Sequence, residues 1–310
     1  MAINTLAVAT KFMTALDKAF VQEAVTGWMD ANAGQVQYDG GKYVKVPQLS
    51  TNGLADYDRD DGFVQGAVTL TYEQLEMTQD RGRKFQLDAM DVNEANFIPT
   101  AAAVMGEFQR TQVVPEIDAY RISKVVTNAI SASQAGLIDY GYTPGESGTS
   151  ALRKFKEAVA AIRANGYSGP LVAHVTALFK LELELELAGK ITTVTFSQGG
   201  IQTQVPAIDN IPLIETSNDR MVSAIQTYDG TTSSQKAGGF VKASTGKDVN
   251  FVIMPNTAPM AVSKQDKMRI FTPDTYQKAD AWAMDYRRFH DLWVLEEKAK
   301  VIAVSIKDAQ

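Results

Sequence analysis

The sequence predicts an α+β fold, and two observations carry that prediction. Between Asn93 and Ile130, apolar residues recur every three or four positions with one gap, which indicates a long amphipathic helix. On either side of it, short segments alternate polar and apolar residues as β-strands do. At about 1.5 Å per residue, roughly 30 residues of helix span about 45 Å, longer than a small domain is wide. We therefore expect a spine helix along which other elements pack.

Charged residues are expected mostly on the side of the spine helix away from its apolar stripe. The stripe comprises Val104, Phe108, Pro115, Ala119, Ile122, Val126 and Ala129, and the charged set comprises Glu107, Arg110, Glu116, Arg121 and Lys124. Asp91 and Glu94 have the spacing of a capping box at the helix start. Pro99 is tolerated in a first turn, whereas Pro115 falls in the middle and predicts a kink or a division of the helix.

Length and composition are those of a protein with a substantial core. The chain has 310 residues, 45% of them hydrophobic and 21% charged, which suits one large domain or two closely joined ones. The net charge of −6 excludes the overall basic field that drives nonspecific binding to nucleic acid. The absence of cysteine excludes disulfides, thiolate chemistry and cysteine-built zinc sites. No apolar run has the length of a membrane span, so we predict no membrane partner.

The first element in chain order is an amphipathic arm, residues 1–34. Its apolar residues, among them Phe12, Phe20 and Trp28, fall at helical spacing, so the arm is expected to be partly helical. An arm with aromatic anchors packs either on its own core or on another subunit. The sequence leaves both alternatives open.

Residues 35–90 are expected to form an extended loop built on a β-hairpin. Segments 43–47 and 63–72 alternate like strands, and a polar, turn-rich tip separates them. An isolated two-stranded hairpin is marginal in water, so we expect this one to depend on support from outside itself. The charged segment 73–90 is interpreted as a link to the spine helix.

Beyond the spine helix, the sequence predicts a hinge followed by alternating helices and strands. Residues 137–150 are rich in Gly, Pro and Ser and form the best candidate hinge. A helix is predicted at 150–164 and another at 180–187, where helix-forming residues outweigh a strict Leu–Glu alternation. Strands are expected at 170–175, 191–196, 204–205, 212–215, 250–254, 280–295 and 300–306, and a polar loop at 227–239.

No catalytic or metal-binding motif is complete. The acidic segment 56–62 lacks the glycine and the bidentate glutamate of a calcium loop. Segment 244–247 lacks the first glycine and the final hydroxyl residue of a phosphate-binding loop. The two histidines, His174 and His290, have no partner at metal-ligand spacing, and His174 is expected to be a satisfied core residue. We therefore predict that the protein is not an enzyme and holds neither a metal nor a cofactor.

Two basic clusters have alternative interpretations. Arg81, Arg83 and Lys84 form the first cluster, and Arg287 and Arg288 form the second. Either cluster is able to contact phosphates, but ion pairs with the many Asp and Glu residues are the commoner outcome.

The order of these elements resembles the major capsid protein of tailed bacteriophages, the Hong Kong-97-like fold that encapsulin compartments share. The resemblance is architectural, covers nearly the whole chain and is clearest at 91–124, 211–221 and 286–298. It implies an N-terminal arm at 1–34, an extended loop at 35–90, the spine helix and peripheral domain at 91–143, an axial domain at 144–249, and return strands of the peripheral domain at 250–310.

The resemblance also implies a function and partners. It implies a structural shell protein that assembles into pentamers and hexamers of an icosahedral capsid in the bacterial host cytoplasm and encloses double-stranded DNA through nonspecific contacts. Portal and decoration proteins are further expected partners, and a chain that begins directly at the arm suggests a separate scaffold protein or none. The expected inter-subunit contacts are Phe12, Phe20, Trp28, Tyr43, Tyr57, Arg59, Phe63, Arg81, Arg83 and Lys84.

Three alternatives remain at this stage. The nearest is an encapsulin-type compartment with the same fold and an enzyme cargo. The second is an α/β enzyme with its site at the Gly-rich hinge, against which the missing motifs argue. The third is a β-rich attachment protein, against which the long central helix argues.

Overall fold

The computed structural model describes residues 22–35, 43–60, 62–89, 101–132, 134–146, 148–187, 191–198 and 201–310. Phe12, Phe20, the predicted capping box at Asp91 and Glu94, and Pro99 lie outside these residues. The described residues form helices and strands in one mixed architecture, as the sequence predicts.

The helices of the described residues are α1 (Ala101–Phe108), α2 (Val114–Ala132), α3 (Ala151–Ala164), α4 (Ala177–Leu187) and α5 (Glu296–Ala299), with 3₁₀ turns at Gly27–Gln35 and Ser233–Gln235. The strands are β1 (Tyr43–Thr51), β2 (Val68–Glu76), β3 (Gln79–Asp88), β4 (Ile138–Tyr140), β5 (Leu171–Val175), β6 (Thr192–Gln198), β7 (Ile201–Ile208), β8 (Ile211–Glu215), β9 (Ile225–Thr227), β10 (Phe240–Lys242), β11 (Val249–Pro255), β12 (Pro259–Phe271), β13 (Ala281–Val294) and β14 (Ala303–Ile306).

A seven-stranded mixed sheet in the order β4-β14-β11-β5-β8-β7-β6 forms the centre of the fold. Its middle strands β5 and β11 are buried throughout and mostly apolar, because helices cover both faces. In β11, Val252 and Met254 pack in the cluster formed with α2, whereas Phe251 and Ile253 pack in the cluster formed with α3 and α4. The core therefore has three layers, with the spine helix on one side of the sheet and the α3–α4 pair on the other.

The spine helix is interrupted where the sequence predicts. Between α1 and α2, residues Gln109–Val113 form a π-helical turn, which we call the π segment. The N–H of Val114 donates to the carbonyl of Gln109, and the next residue, Pro115, has no N–H to donate. A π turn allows a helix to include a residue that cannot donate the regular backbone hydrogen bond. The helix thus continues through Pro115 with altered pitch instead of ending there.

The predicted position of Arg121 is wrong. Its side chain is 2% exposed and lies inside the fold, although the other four residues of the predicted charged set are at least partly accessible. The guanidinium is buried because it pairs with Asp30 and donates to the carbonyl of Thr26, both in the arm. A charge becomes tolerable inside a protein when partners satisfy it.

The interpretation of residues 73–90 as a link is also wrong. β2 continues to Glu76, and β3 pairs antiparallel with β13 at the edge of a three-stranded sheet in the order β12-β13-β3. Gly82 permits a close approach there, because a Cβ would lie 2.8 Å from the carbonyl oxygen of Tyr286. Charged side chains suit an exposed edge strand, and they hid its alternation in the sequence.

Other sequence expectations are confirmed with shifted boundaries. β1 and β2 form the predicted hairpin, but the second strand begins at Val68 instead of residue 63, so the tip is longer. Both predicted helices appear as α3 and α4, and the helical choice for 180–187 is right. β12 was not predicted, and β4 lies within the candidate hinge, whose hinge function stays a prediction.

We predict that Glu186 stabilises the start of α3 and does so in a pH-dependent way. Ser150 caps the helix by accepting from the N–H of Arg153, and Glu186 on α4 accepts from the Ser150 hydroxyl and the N–H groups of Ala151 and Leu152. Burial acts to raise the pKa of Glu186, but these hydrogen bonds outweigh it and hold the pKa below its ordinary value. The lowered pKa means that the stabilisation is complete above the unfolded-state pKa of about 4.3 and is lost as pH falls through the folded-state value.

Replacing Glu186 with alanine is therefore expected to lower the free energy of unfolding by about 1 kcal/mol at pH 7, as loss of a helix cap does. The difference from the parent protein should shrink below about pH 4, where the carboxyl is protonated. Urea unfolding at both pH values measures it. Glu184→Ala on the same helix is the matched control, and an equal, pH-independent loss in both variants would contradict the capping role.

Candidate functional site

The hairpin has one exposed apolar face. β1 and β2 pair along their whole length, and the register sets Leu49 opposite Leu70 and Pro47 opposite Tyr72. Opposed residues lie on the same face of a hairpin. We call the apolar residues of this face the apolar hairpin face: Tyr43, Pro47, Leu49, Val68, Leu70 and Tyr72, with Lys45, Thr51, Gln74 and Glu76 on the same face. Leu49 is 68% exposed and Leu70 is 53% exposed, so the residues that the structure describes leave them largely uncovered.

Among the described residues, the opposite face of the hairpin packs against the rest of the chain at its base. Val46 and Leu75 pack against a small core cluster of Met77, Met260, Val262 and Trp293. Farther along the same face, Ser50 and Thr69 are exposed. The hairpin is therefore anchored to the three-stranded sheet at one end, and its other end is accessible on both faces.

The hairpin tip presents an aromatic pair. Tyr57 and Phe63 stack at a tilt, with ring centroids 4.8 Å apart, yet they are 60% and 90% exposed. Asp58 and Gly62 exchange backbone hydrogen bonds that close the turn, and Gly62 has a positive φ of 79°. Arg59 is exposed in the same turn. An ordered turn that exposes two aromatic rings has the character of a contact surface.

The arm is fastened to its own subunit by a buried ionic network. We call Thr26, Asp30, Asp118, Arg121 and Arg220 the arm anchor. Asp118 accepts from the Thr26 hydroxyl at 2.5 Å and from its N–H at 3.2 Å, and it pairs with Arg220 at 2.8 Å. Arg121 forms a bidentate pair with Asp30 at 2.6 and 3.1 Å. The network joins residues from the arm, from α2 and from the turn after β8.

Trp28 also lies in the core of its own subunit. It is 5% exposed, and its indole N–H donates to Nε2 of His174 at 3.3 Å. Because the indole is a donor only, Nδ1 carries the imidazole proton and donates to the Thr216 hydroxyl at 3.1 Å. Burial lowers the pKa of His174 to about 3, so the ring is neutral. The prediction of a satisfied core histidine is confirmed.

The basic clusters are largely paired, as the commoner interpretation predicted. Arg81 contacts Glu116 at 2.6 Å, and Arg288 contacts Asp266 at 3.1 Å. Arg287 contacts Asp80 at 2.5 Å, and its hydrogen bond lowers the pKa of that carboxyl against the opposing effect of burial.

Two further features bear on the predicted chemistry. Over the ranges that the structure describes, no three His, Cys, Asp or Glu side chains lie together as a metal site would require. Within the same ranges, no helix combines the length and the apolar character needed to cross a bilayer.

No protein-family model matches this sequence, and no curated protein sequence matches it. Solved structures do match. A chain from the mature capsid of bacteriophage PhiM1 has a TM-score of 0.62 at 10% identity, over 97% of this chain and 92% of that one. A chain from the capsid of Cyanophage P-SCSP1u has a TM-score of 0.60 at 12% identity, over 97% and 92%. A chain of Mycobacterium phage Che8 has a TM-score of 0.59 at 14% identity, with both chains covered completely.

The fold is that of a bacteriophage capsid subunit. These structural matches confirm the fold class that the sequence resemblance implied. The Hong Kong-97-like subfamily stays a prediction. At these identities the likeness concerns the arrangement of the elements in the capsid fold and not the identity of surface residues.

The residues predicted to contact neighbouring copies lie in different parts of the fold. Tyr43, Tyr57, Arg59 and Phe63 are exposed on the hairpin. The remaining described candidates lie elsewhere: Trp28 is buried in its own subunit, Arg81 is paired with Glu116, Arg83 donates to the carbonyl of Lys236, and Lys84 donates to the Tyr276 hydroxyl. Of the described candidates, the four hairpin residues and the exposed Arg83 and Lys84 remain accessible to a neighbour, and the hairpin holds the larger group.

Sequence reasoning missed the arm anchor and every residue of the apolar hairpin face except Tyr43. A signal for the first existed, because Asp118 and Arg121 interrupt the apolar stripe of the spine helix, but their partners lie about 90 residues away. In the apolar hairpin face, Leu49, Val68 and Leu70 follow the alternation of a strand. Alternation alone does not show which face of a hairpin is covered.

Proposed function

We propose that this protein is a structural, non-enzymatic subunit of an icosahedral shell that encloses the double-stranded DNA of a tailed bacteriophage. The observation that carries the proposal is the capsid fold over nearly the whole chain, combined with a hairpin whose apolar face its own subunit leaves exposed. A second copy of the chain supplies the missing cover. The proposed location is the virion, assembled in the bacterial cytoplasm.

The proposed division of the molecule follows the resemblance. Residues 1–34 act as the arm and 35–90 as the extended loop, while 91–143 with 250–310 form the peripheral domain and 144–249 the axial domain. The boundary at 249/250 falls inside β11, which pairs with β5 on one side and β14 on the other. The two domains would therefore share one sheet and move as a unit.

Assembly through the hairpin is favoured by its apolar area. Burying a Val, Leu or Phe side chain completely is worth about 1.5–3 kcal/mol, and several such side chains lie along the apolar hairpin face. Association also has an entropic cost, so one hairpin contact is modest on its own. In a closed shell each subunit makes several contacts at once, so the combined affinity is much higher than that of one contact.

The proposed partners are other copies in pentamers and hexamers, with scaffold, portal and decoration proteins as further partners. DNA contacts would be local and without sequence preference, because the net charge of −6 provides no overall attraction for phosphates.

Electron microscopy and light scattering of the purified chain test the proposal. We expect ring-shaped capsomers or closed shells, with particle mass rising with protein concentration. A compact monomer at every concentration would contradict the proposal. The particle contents separate the alternatives, since nuclease-resistant DNA supports a phage shell and a co-purifying enzyme supports an encapsulin-type compartment.

A further inference from the structure

A cleft with a volume of about 210 Å³ lies where β3, β13, the π segment and the loop before β10 meet. We call it the arginine cleft. Its lining includes Arg83, Phe108, Tyr228, Tyr286, Arg288 and His290. Tyr286, Arg288 and His290 are alternate residues of β13, so one face of a single strand supplies all three. The volume admits a molecule of several non-hydrogen atoms, more than a single ion would fill.

His290 brings an unsatisfied polar atom to the cleft. The residue is 4% exposed, and its Nδ1 makes no hydrogen bond with any residue that the structure describes. Buried polar groups are nearly always paired, so an orphan of this kind points to a missing partner. The buried Nε of Arg288, also in the lining, is a second polar atom without a hydrogen bond to the described residues.

The cleft lining holds three arginines, Arg81, Arg83 and Arg288, against two carboxylates, Glu116 and Asp229. Burial, and then the charges of Arg288, Arg121 and Arg81, lower the pKa of His290 to about 3. The ring is therefore neutral at pH 7. Arg81 and Arg288 each have a carboxylate partner, whereas Arg83 pairs with none among the described residues.

Arg83 is held in place by the loop beside it. Its Nη2 donates to the carbonyl of Lys236 at 3.2 Å. A Cβ on Gly230 or Gly238 would lie 3.1 or 3.2 Å from Nη1, and both glycines have positive φ values of 73° and 71°. Two glycines thus let the backbone approach the guanidinium on one side, while the Arg83 side chain stays exposed to a ligand.

Three packed aromatic rings form one part of the cleft wall. Phe108 packs edge-to-face against Phe85 at 4.9 Å and against Tyr286 at 6.1 Å, measured between ring centroids. All three rings line the cleft. One unpaired guanidinium matches a single negative charge, and its fork fits the two oxygens of a carboxylate.

We propose that the arginine cleft binds a carboxylate carried on a small aromatic or apolar group. The guanidinium of Arg83 receives the carboxylate, His290 offers a hydrogen bond through Nδ1, and the three rings cover the apolar part. The carboxylate comes from a free small molecule or from an Asp or Glu side chain of a neighbouring copy, and the chemistry recognised is the same.

Calorimetric titration of the purified full-length chain with benzoate tests the proposal. We expect saturable binding of benzoate and at least tenfold weaker binding of benzamide, which has the same shape without the charge. Arg83→Gln should weaken benzoate binding at least tenfold. Arg153→Gln, an exposed arginine on α3, is the matched control and should leave binding unchanged. Equal affinities for benzoate and benzamide, or equal affinities of the two variants, would overturn the proposal.

Histidine NMR supplies a second readout, because the chain has only two histidines. Benzoate should shift the ring signals of His290 and raise its pKa, while those of His174 in the central core stay unchanged. A shift of both signals, or of neither, would count against the site. Binding to dissociated subunits but not to assembled particles would identify a neighbour's carboxylate as the occupant, and equal binding to both would identify a free molecule.

Discussion

Replacing Asp118 with alanine is expected to lower the free energy of unfolding by about 3–5 kcal/mol, the range found when one partner of a buried ion pair is removed. Asp118 and Arg220 are each 1% exposed, so solvent does not compensate the remaining guanidinium. The same carboxylate accepts from the N–H groups of Val25 and Thr26. Its loss therefore leaves a buried charge and buried donors unsatisfied at once.

Urea unfolding of the purified chain measures the effect, and amide hydrogen exchange locates it. Exchange should accelerate first at Val25 and Thr26, because their amides lose their acceptor. Glu157→Ala is the control, since Glu157 forms an exposed pair with Arg153 and should leave the unfolding midpoint unchanged. Similar midpoints for the two variants would show that the arm anchor does not stabilise the subunit.

The Asp118→Leu/Arg220→Met double variant separates pairing from packing. Removing both charges avoids the uncompensated guanidinium, so the double variant should be more stable than Asp118→Ala. The arm contacts that depend on Asp118 would still be lost. If the double variant were the less stable of the two, packing around Arg220 and not its charge would dominate.

The sequence predicted best those elements whose signals are local. The spine helix and the interruption at Pro115 follow from apolar spacing and from one missing N–H. The helix α4 follows from composition, although its residues alternate like a strand. Such features depend on neighbours within a few positions along the chain, and the sequence contains those neighbours explicitly.

The elements that the sequence did not predict depend on distant partners. Arg121 is buried only because Asp30 and Thr26 meet it, and β3 is a strand only because β13 lies beside it. Trp28 shows the same limit, since an aromatic anchor suits its own core as well as a neighbour, and the choice rests on His174 and Phe196. Local pattern does not contain this information.

The arm and the hairpin therefore have different roles, although the sequence left the packing partner of the arm open and predicted outside support for the hairpin. From Val25 to Met29, the arm is satisfied within its own subunit by the arm anchor and the core. Among the described residues, the hairpin packs against its own subunit at its base, through Val46 and Leu75. If contacts between copies are made by exposed apolar surface, substitutions in the arm should act on folding, and substitutions on the apolar hairpin face should act on assembly.

Leu49→Asp is accordingly expected to abolish shell assembly while the subunit stays folded. The substitution exchanges an apolar contact of about 1.5–3 kcal/mol for a carboxylate that must be desolvated in the interface. A loss of about 3 kcal/mol at each contact weakens the pairwise affinity roughly a hundredfold. A closed shell repeats that contact many times, so particles should disappear.

Ser50→Asp is the matched control, because Ser50 is the next residue on the same strand, is exposed, and points to the opposite face. Both variants introduce an aspartate, which is negatively charged and disfavoured in strands. Any loss of hairpin stability from the aspartate itself is therefore common to both variants. Particle yield by electron microscopy and subunit stability by thermal unfolding measure the two effects separately. Shells should form with Ser50→Asp and not with Leu49→Asp, at similar unfolding temperatures. If both variants assembled equally well, the apolar hairpin face would not be the surface that joins the copies.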